Sequence, residues 1–203
     1  MCELDIIAAA KDLLIGAAAV TTAAIAVYGV NRWRSELRGR AEFQTARELL
    51  RATYQVREKI RSVRAPFIAA QEFPEGYSPI ERHSEVKPAD AWAQVYRSRW
   101  KPLENALVEL EAQQLEAEVL WGAAIREKSD NLLSCANELF VAIEAVVSDK
   151  ANGGEDFKTD PGFGKDMKAI VSRRPKGKDQ FGDKVLTAVA EVESEIRPHV
   201  LNT

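Results

Sequence analysis

Residues that carry most reactive chemistry are scarce in this chain. Its 203 residues include two cysteines, two histidines and two methionines, and aromatics make up only 7%. Cys2 and Cys135 lie too far apart to form a disulfide framework, which points to a reducing compartment. His83 and His199 are isolated, and neither stands in the Glu-x-x-His pairing of a di-iron bundle. With the cysteines unclustered as well, no zinc-ligand set forms, and no metal or other cofactor is expected. The eleven glycines never fall into the Gly-x-x-x-x-Gly-Lys-Ser/Thr pattern, and there is no Gly-x-Ser-x-Gly elbow and no Ser/His/Asp spacing. No catalytic residue is assigned, and the expectation is a protein that is not an enzyme. Gly162 and Gly164 in DPGFGKD precede a helix start that could in principle cradle a phosphate, but a mobile linker is the favoured reading.

Net charge is nearly absent too, since 28 Lys+Arg against 31 Asp+Glu leave −3. That near-balance conceals segregation. Residues 32–64 carry ten basic and four acidic side chains, net +6, whereas 101–149 carry three basic and ten acidic, net −7. No nucleic-acid role is expected: the basic run Ser172 to Lys178 has no interleaved aromatic, and the surrounding tail is close to neutral.

One long run lacks charge altogether. Leu13 to Val30, LLIGAAAVTTAAIAVYGV, holds eighteen uncharged residues. As a helix it is about 27 Å long, close to the ~30 Å of a hydrocarbon core. Six alanines, two glycines and two threonines make it only marginally apolar. A buried core helix would show a polar face, and none interrupts it. A cleaved secretory signal would need a basic leader before Ala24-Ile25-Ala26, yet the preceding residues are acidic. A signal anchor fits better. Tyr28 and Trp33 suit an interfacial belt, and Arg32, Arg34, Arg38 and Arg40 place that side in the cytoplasm. These six residues are the predicted interface and topology set, with anionic lipid headgroups as their partners.

The expected fold is all-α. An N-terminal transmembrane helix (1–31) continues into a cytoplasmic region, 32–149, that folds as a long antiparallel, coiled-coil-like helical hairpin or bundle. Residues 150–203 follow as a linker with short C-terminal helices packed on it. Apolar residues recur by threes and fours at Phe43, Ala46, Leu50 and Tyr54, with Leu49 and Val56, and then at Ile60, Val63 and Phe67. A second seam runs Leu103, Leu107, Leu110, Gln114, Ala117, Trp121, Ala124, Lys128, Leu132, Cys135, Leu139, Ala142 and Val146, which predicts one unbroken helix from Pro102 to Asp149 with Gln114 and Lys128 as polar insertions. Glu104, Glu111 and Glu118 fall on one face and Glu109 and Glu116 on another, read as solvated or ion-paired rows. The basic and acidic segments are expected to face each other. Between them the Pro-rich stretch 66–88 reads as an irregular loop, and Asp90 as the N-cap of the next helix. Later helices are expected near Lys165 to Arg173 and Phe181 to Val200. Around the loop, Tyr77, His83, Trp92 and Trp100 form the predicted partner surface, for a protein partner or a second copy.

The functional expectation is a single-pass inner (plasma) membrane protein, N-terminus outside and C-terminal domain cytoplasmic, serving as a non-enzymatic scaffold or protein-interaction module. The alternative is a membrane-acting effector or toxin-like component that self-associates through its Ala-rich span.

Overall fold

The computed structural model describes the backbone of residues 2–78, 86–175 and 177–201, and side chains from Leu14 to Val200 within those ranges. All regular structure among them is helical: α1 (Cys2–Val63), a 3-10 turn (Ala70–Glu72), α2 (Pro88–Trp121), α3 (Ala123–Ala151), α4 (Glu155–Thr159), α5 (Pro161–Val171) and α6 (Gln180–Leu201). The chain divides into two units, Met1–Gln44 and Thr45–Asn202.

The first unit is helix alone. Its apolar side chains are exposed, with Leu14 at 72%, Val20 at 71%, Ile25 at 66% and Val27 at 61%. The Thr21 and Thr22 hydroxyls donate back to the Ala17 and Ala18 carbonyls, both at 2.8 Å. Both threonine hydroxyls therefore have an internal partner, the condition a hydrocarbon environment imposes. The helix is long and apolar enough to cross a membrane. α3 passes the same test of length and composition, but Leu132, Cys135, Leu139 and Ala142 place it in a core.

In the second unit, α1 buries Ala46, Leu49, Thr53, Val56, Ile60 and Val63 along one stripe. Of the predicted seam, Ala46, Leu49, Val56, Ile60 and Val63 face inward, whereas Thr53 is buried where Tyr54 was expected, Leu50 is half-buried, and Phe43 and Phe67 are exposed at 43% and 77%. α1 ends at Val63 because the residue before Pro66 is pushed away from helical geometry. Arg99 of α2 then gathers the turning chain. It donates to the carbonyls of Val63, Ala65 and Phe67 and to both carboxylate oxygens of Glu72.

α2 begins earlier than predicted. Lys87 is the N-cap and Pro88, whose fixed φ suits the first turn, opens the helix, leaving Asp90 inside the first turn. The predicted unbroken helix 102–149 is also corrected. Pro102 sits exposed within α2 without ending it, whereas Gly122, at φ 84° and ψ −173°, stops α2 and starts α3. The two helices run antiparallel about this single residue. Gln114 Nε2 bonds Asp130 at 2.7 Å, Trp100 meets Phe140 at 5.1 Å, and Lys150 sits 4.1 Å over the Trp92 ring. The turn also resets the helical phase, so Ile125 and Ser129 are buried in place of Ala124 and Lys128.

After Gly154, α4 and α5 pack so closely that a Cβ on Gly164 would lie 2.7 Å from Phe157. Asp160 caps α5 by accepting from the Phe163 amide at 3.0 Å. α6 lies antiparallel to α3, joined by Lys184 to Glu138 and by Asn131 to Glu191, and antiparallel to the buried part of α1, where Tyr54 faces Glu193 and Arg64 meets Asp179. Leu49, Ile60, Leu103, Leu110, Ile125, Leu132, Leu139 and Ile196 form the fully buried center. Among the described residues, ion pairs between elements of this unit are Arg64–Asp179, Arg99–Glu72, Arg126–Glu118 and Lys184–Glu138, rather than an arginine stripe of α1 against a glutamate stripe of 101–149.

Candidate functional site

The predicted interface residues lie in the first unit. Tyr28 and Trp33 are 66% and 61% exposed, and Arg32, Arg34, Arg38 and Arg40 are exposed as well. Spacing distributes them around the helix, with Tyr28 and Arg32 on one side and Arg34 and Arg38 on another. Arg38 pairs with Glu42 at 2.9 Å and Arg40 with Glu36 at 2.7 Å, each worth a few tenths of a kcal/mol at an exposed (i, i+4) spacing, ~0.3–0.5. The result is a collar of cations and two amphipathic aromatics at the end of an uncharged helix.

Three residues of the predicted partner surface, Tyr77, Trp92 and Trp100, are described. Tyr77 and Trp92 gather on Phe73, with ring centroids at 5.1 and 5.6 Å, and form a satellite cluster with Ala91 and Val95. They hold residues 68–77 against the first turns of α2. Trp92 also takes the Lys150 ammonium on its face, and burial pulls the Lys150 pKa below the usual lysine range. Trp100 instead meets Phe140 in a tilted contact, beside a groove of about 380 Å³ shared with Tyr96, Ile143 and Glu144. His83 lies outside the described residues. Among the described residues, no three His, Cys, Asp or Glu side chains gather as a metal-ligand group.

Two features escaped the sequence reading. The first is on α2, where Val108, Leu115 and Val119 are 63%, 57% and 86% exposed and align with exposed Ala112. The stripe runs between the glutamate rows, with Glu111 on one flank and Glu109 and Glu116 on the other. Those rows were legible as solvated faces. The apolar strip between them was not, because the same helix already supplies a complete inward seam.

The second is a groove of about 450 Å³ between the end of α1 and the start of α6. Arg57 and Arg61 form one wall and Arg173 and Arg174 the other. At its base Arg64, 3% exposed, bonds both oxygens of Asp179 and the carbonyls of Ala169, Ile170 and Ser172, with the Phe181 ring 4.7 Å from its guanidinium. Burial pushes the Asp179 pKa up, but the Arg64 and Gly182 hydrogen bonds outweigh it and hold the carboxyl below its ordinary value. Both arginine groups are visible in the sequence, the first by helical spacing and the second as a dipeptide. Their meeting is a tertiary fact that spacing does not encode. No protein-family model, curated protein or solved structure matches this chain, so its function is read from these arrangements.

Proposed function

We propose that the protein is a single-pass, membrane-anchored, non-enzymatic helical interaction module, with its N-terminus outside and the second unit in the cytoplasm of a cell bounded by that membrane. One observation carries the reading: the uncharged stretch of α1 exposes its Leu, Ile and Val side chains and closes its threonine hydroxyls on its own backbone. That is the surface lipid requires and water penalises, at roughly 25 cal/mol per Å² of apolar area. The collar of Arg32, Arg34, Arg38 and Arg40, with Trp33 beside it, supports the orientation and contact with anionic headgroups. Support for an interaction role comes from the second unit. Arg64–Asp179 and Gln114–Asp130 engage polar groups with one another, while the α2 stripe of Val108, Leu115 and Val119 is exposed. Acidic flanks suit that stripe to a basic amphipathic helix of a partner and discourage pairing of two identical α2 faces.

Carbonate extraction of membranes tests the anchor. The full chain is expected to stay in the pellet and a chain lacking residues 1–31 to leave it; release of the full chain overturns the anchor. Reporters fused at each end test orientation, and cytoplasmic activity of the N-terminal fusion reverses it. Leu115→Glu with Val119→Glu is expected to abolish partner capture without lowering the melting temperature, and unchanged capture removes the α2 stripe from the reading.

A further inference from the structure

We infer that the groove between α1 and the α5–α6 turn is a binding site for a phosphate group. The inference stands on the second unit alone and is independent of membrane anchoring. Five guanidinium groups line the groove against three carboxylates, those of Glu58, Asp179 and Asp183. Arg64 is 3% exposed and all three of its nitrogens bond Asp179 or the carbonyls of Ala169, Ile170 and Ser172, so its part is to shape the base. Glu58 is shared between Arg57 at 3.1 Å and Arg61 at 3.7 Å, which leaves positive charge on that wall. Across from it, the side chains of Arg173 and Arg174 have no partner among the described residues.

Cations that repel one another are usually spread apart by a fold. Here a backbone hydrogen bond and a ring contact help to bring the two walls together. The Arg173 amide donates to the Arg64 carbonyl at 2.9 Å, fixing the turn against the end of α1, and Arg57 is held over the Tyr54 ring at 4.8 Å. Two guanidiniums without a partner among the described residues, facing a half-neutralised pair, match a doubly charged, multi-oxygen anion, since each planar fork can bond two oxygens. Leu186, 54% exposed at the groove's edge, adds an apolar shoulder on which the ligand's carbon portion can rest. The phosphate can belong to a soluble phosphomonoester or to an anionic phospholipid headgroup.

The experiment follows thermal unfolding of the full chain in neutral-detergent micelles. Glycerol 3-phosphate is added in one arm, and phosphatidic acid mixed into the micelles in the other. Phosphatidylcholine, and acetate at matched ionic strength, serve as references. A bound ligand raises the unfolding midpoint in proportion to its occupancy. Expected is a rise with glycerol 3-phosphate if the source is soluble, or with phosphatidic acid alone if it is a headgroup. Arg173→Gln with Arg174→Gln is expected to weaken the apparent affinity on the order of tenfold, and Arg47→Gln with Arg51→Gln, which removes the same charge from exposed sites on α1, to leave it unchanged. The inference is overturned if neither phosphate compound raises the midpoint, if acetate raises it equally, or if both double variants lose the effect alike.

Discussion

Arg64 and Asp179 meet in a two-pronged ion pair, Nη2 to Oδ1 at 2.6 Å and Nη1 to Oδ2 at 3.1 Å, although they stand at opposite ends of the second unit's sequence. The same Asp179 Oδ1 accepts the Gly182 amide at 3.1 Å, so the carboxylate also caps α6. One buried contact thus fixes where α1 ends, where the preceding turn lies and where α6 begins.

Arg64→Met is expected to destabilise the second unit by about 3–5 kcal/mol, because it strands a buried carboxylate and three carbonyls. Arg64→Lys is expected to recover only part of this, since an ammonium cannot span the same fork of acceptors. Denaturant unfolding of both variants measures the difference. A loss below about 1 kcal/mol for the methionine variant would contradict the role given to the pair.

Acid should weaken the protein through Asp179 and Glu72. The Glu72 carboxyl is held down chiefly by its hydrogen bonds from Arg99, and Asp179 is held down, against the upward push of burial, by Arg64 and Gly182. Both folded-state values lie below the unfolded ones, so the stabilisation is complete above the ordinary carboxylate values, 4.5 for Glu72 and 3.8 for Asp179. It is lost as pH falls through the depressed folded values. The melting temperature is therefore expected to drop below about pH 4. Asp179→Asn should start lower and show a shallower decline, and an unchanged slope counts against the assignment.

Gly122 adopts φ 84° and ψ −173°, a region nearly closed to residues with a Cβ, although a methyl group there would meet nothing within 4 Å. Gly122→Ala should therefore cost about 1–3 kcal/mol from backbone strain alone. Gly154, at φ 84° and ψ 12°, lies in the left-handed region that asparagine tolerates. Gly154→Asn is accordingly expected to be milder than Gly122→Asn, and equal losses would show that the two turns do not differ as described.

Cys135 is 1% exposed, and burial pushes its thiol up from the ordinary cysteine range. In a Cys2→Ser background the remaining thiol should resist a disulfide-exchange reagent in the folded protein and react promptly once unfolded. Rapid reaction in the native state would show that α3 opens.

Much of this architecture was legible before the fold was seen. Helical composition, the uncharged stretch 13–30, the irregularity after Pro66 and the inward position of Cys135 all follow from local pattern. The sequence reading went astray where a single backbone angle mattered. Trp121-Gly122-Ala123 carries no proline and interrupts no apolar run, so the three-four spacing reads straight through it and assigns Ala124 and Lys128 to a seam that belongs to Ile125 and Ser129. Gln114 survives as a true inward polar residue because Asp130 and the Arg126 carbonyl accept its amide. Within the aromatic set, Tyr77 and Trp92 are brought together by Phe73, whereas Trp100 looks across to Phe140, and the Phe73–Trp92 and Trp100–Phe140 contacts are tertiary. The arginine groove lay further out of reach, since it needs α1 and α6 to meet.

The Gly122 turn also orders events in time. With one residue between α2 and α3, their pairing closes the shortest loop a helical hairpin permits and loses little chain entropy. The contact of Tyr54 with Glu193, by contrast, closes nearly the whole second unit. Local pairings form fastest and distant ones wait on them, so α2 and α3 are expected to pair first, with α6 laid on α3 and the Tyr54–Glu193 contact formed later. A chain halted before α6 is expected to keep α2 and α3 paired while lacking every contact that α6 makes with α1.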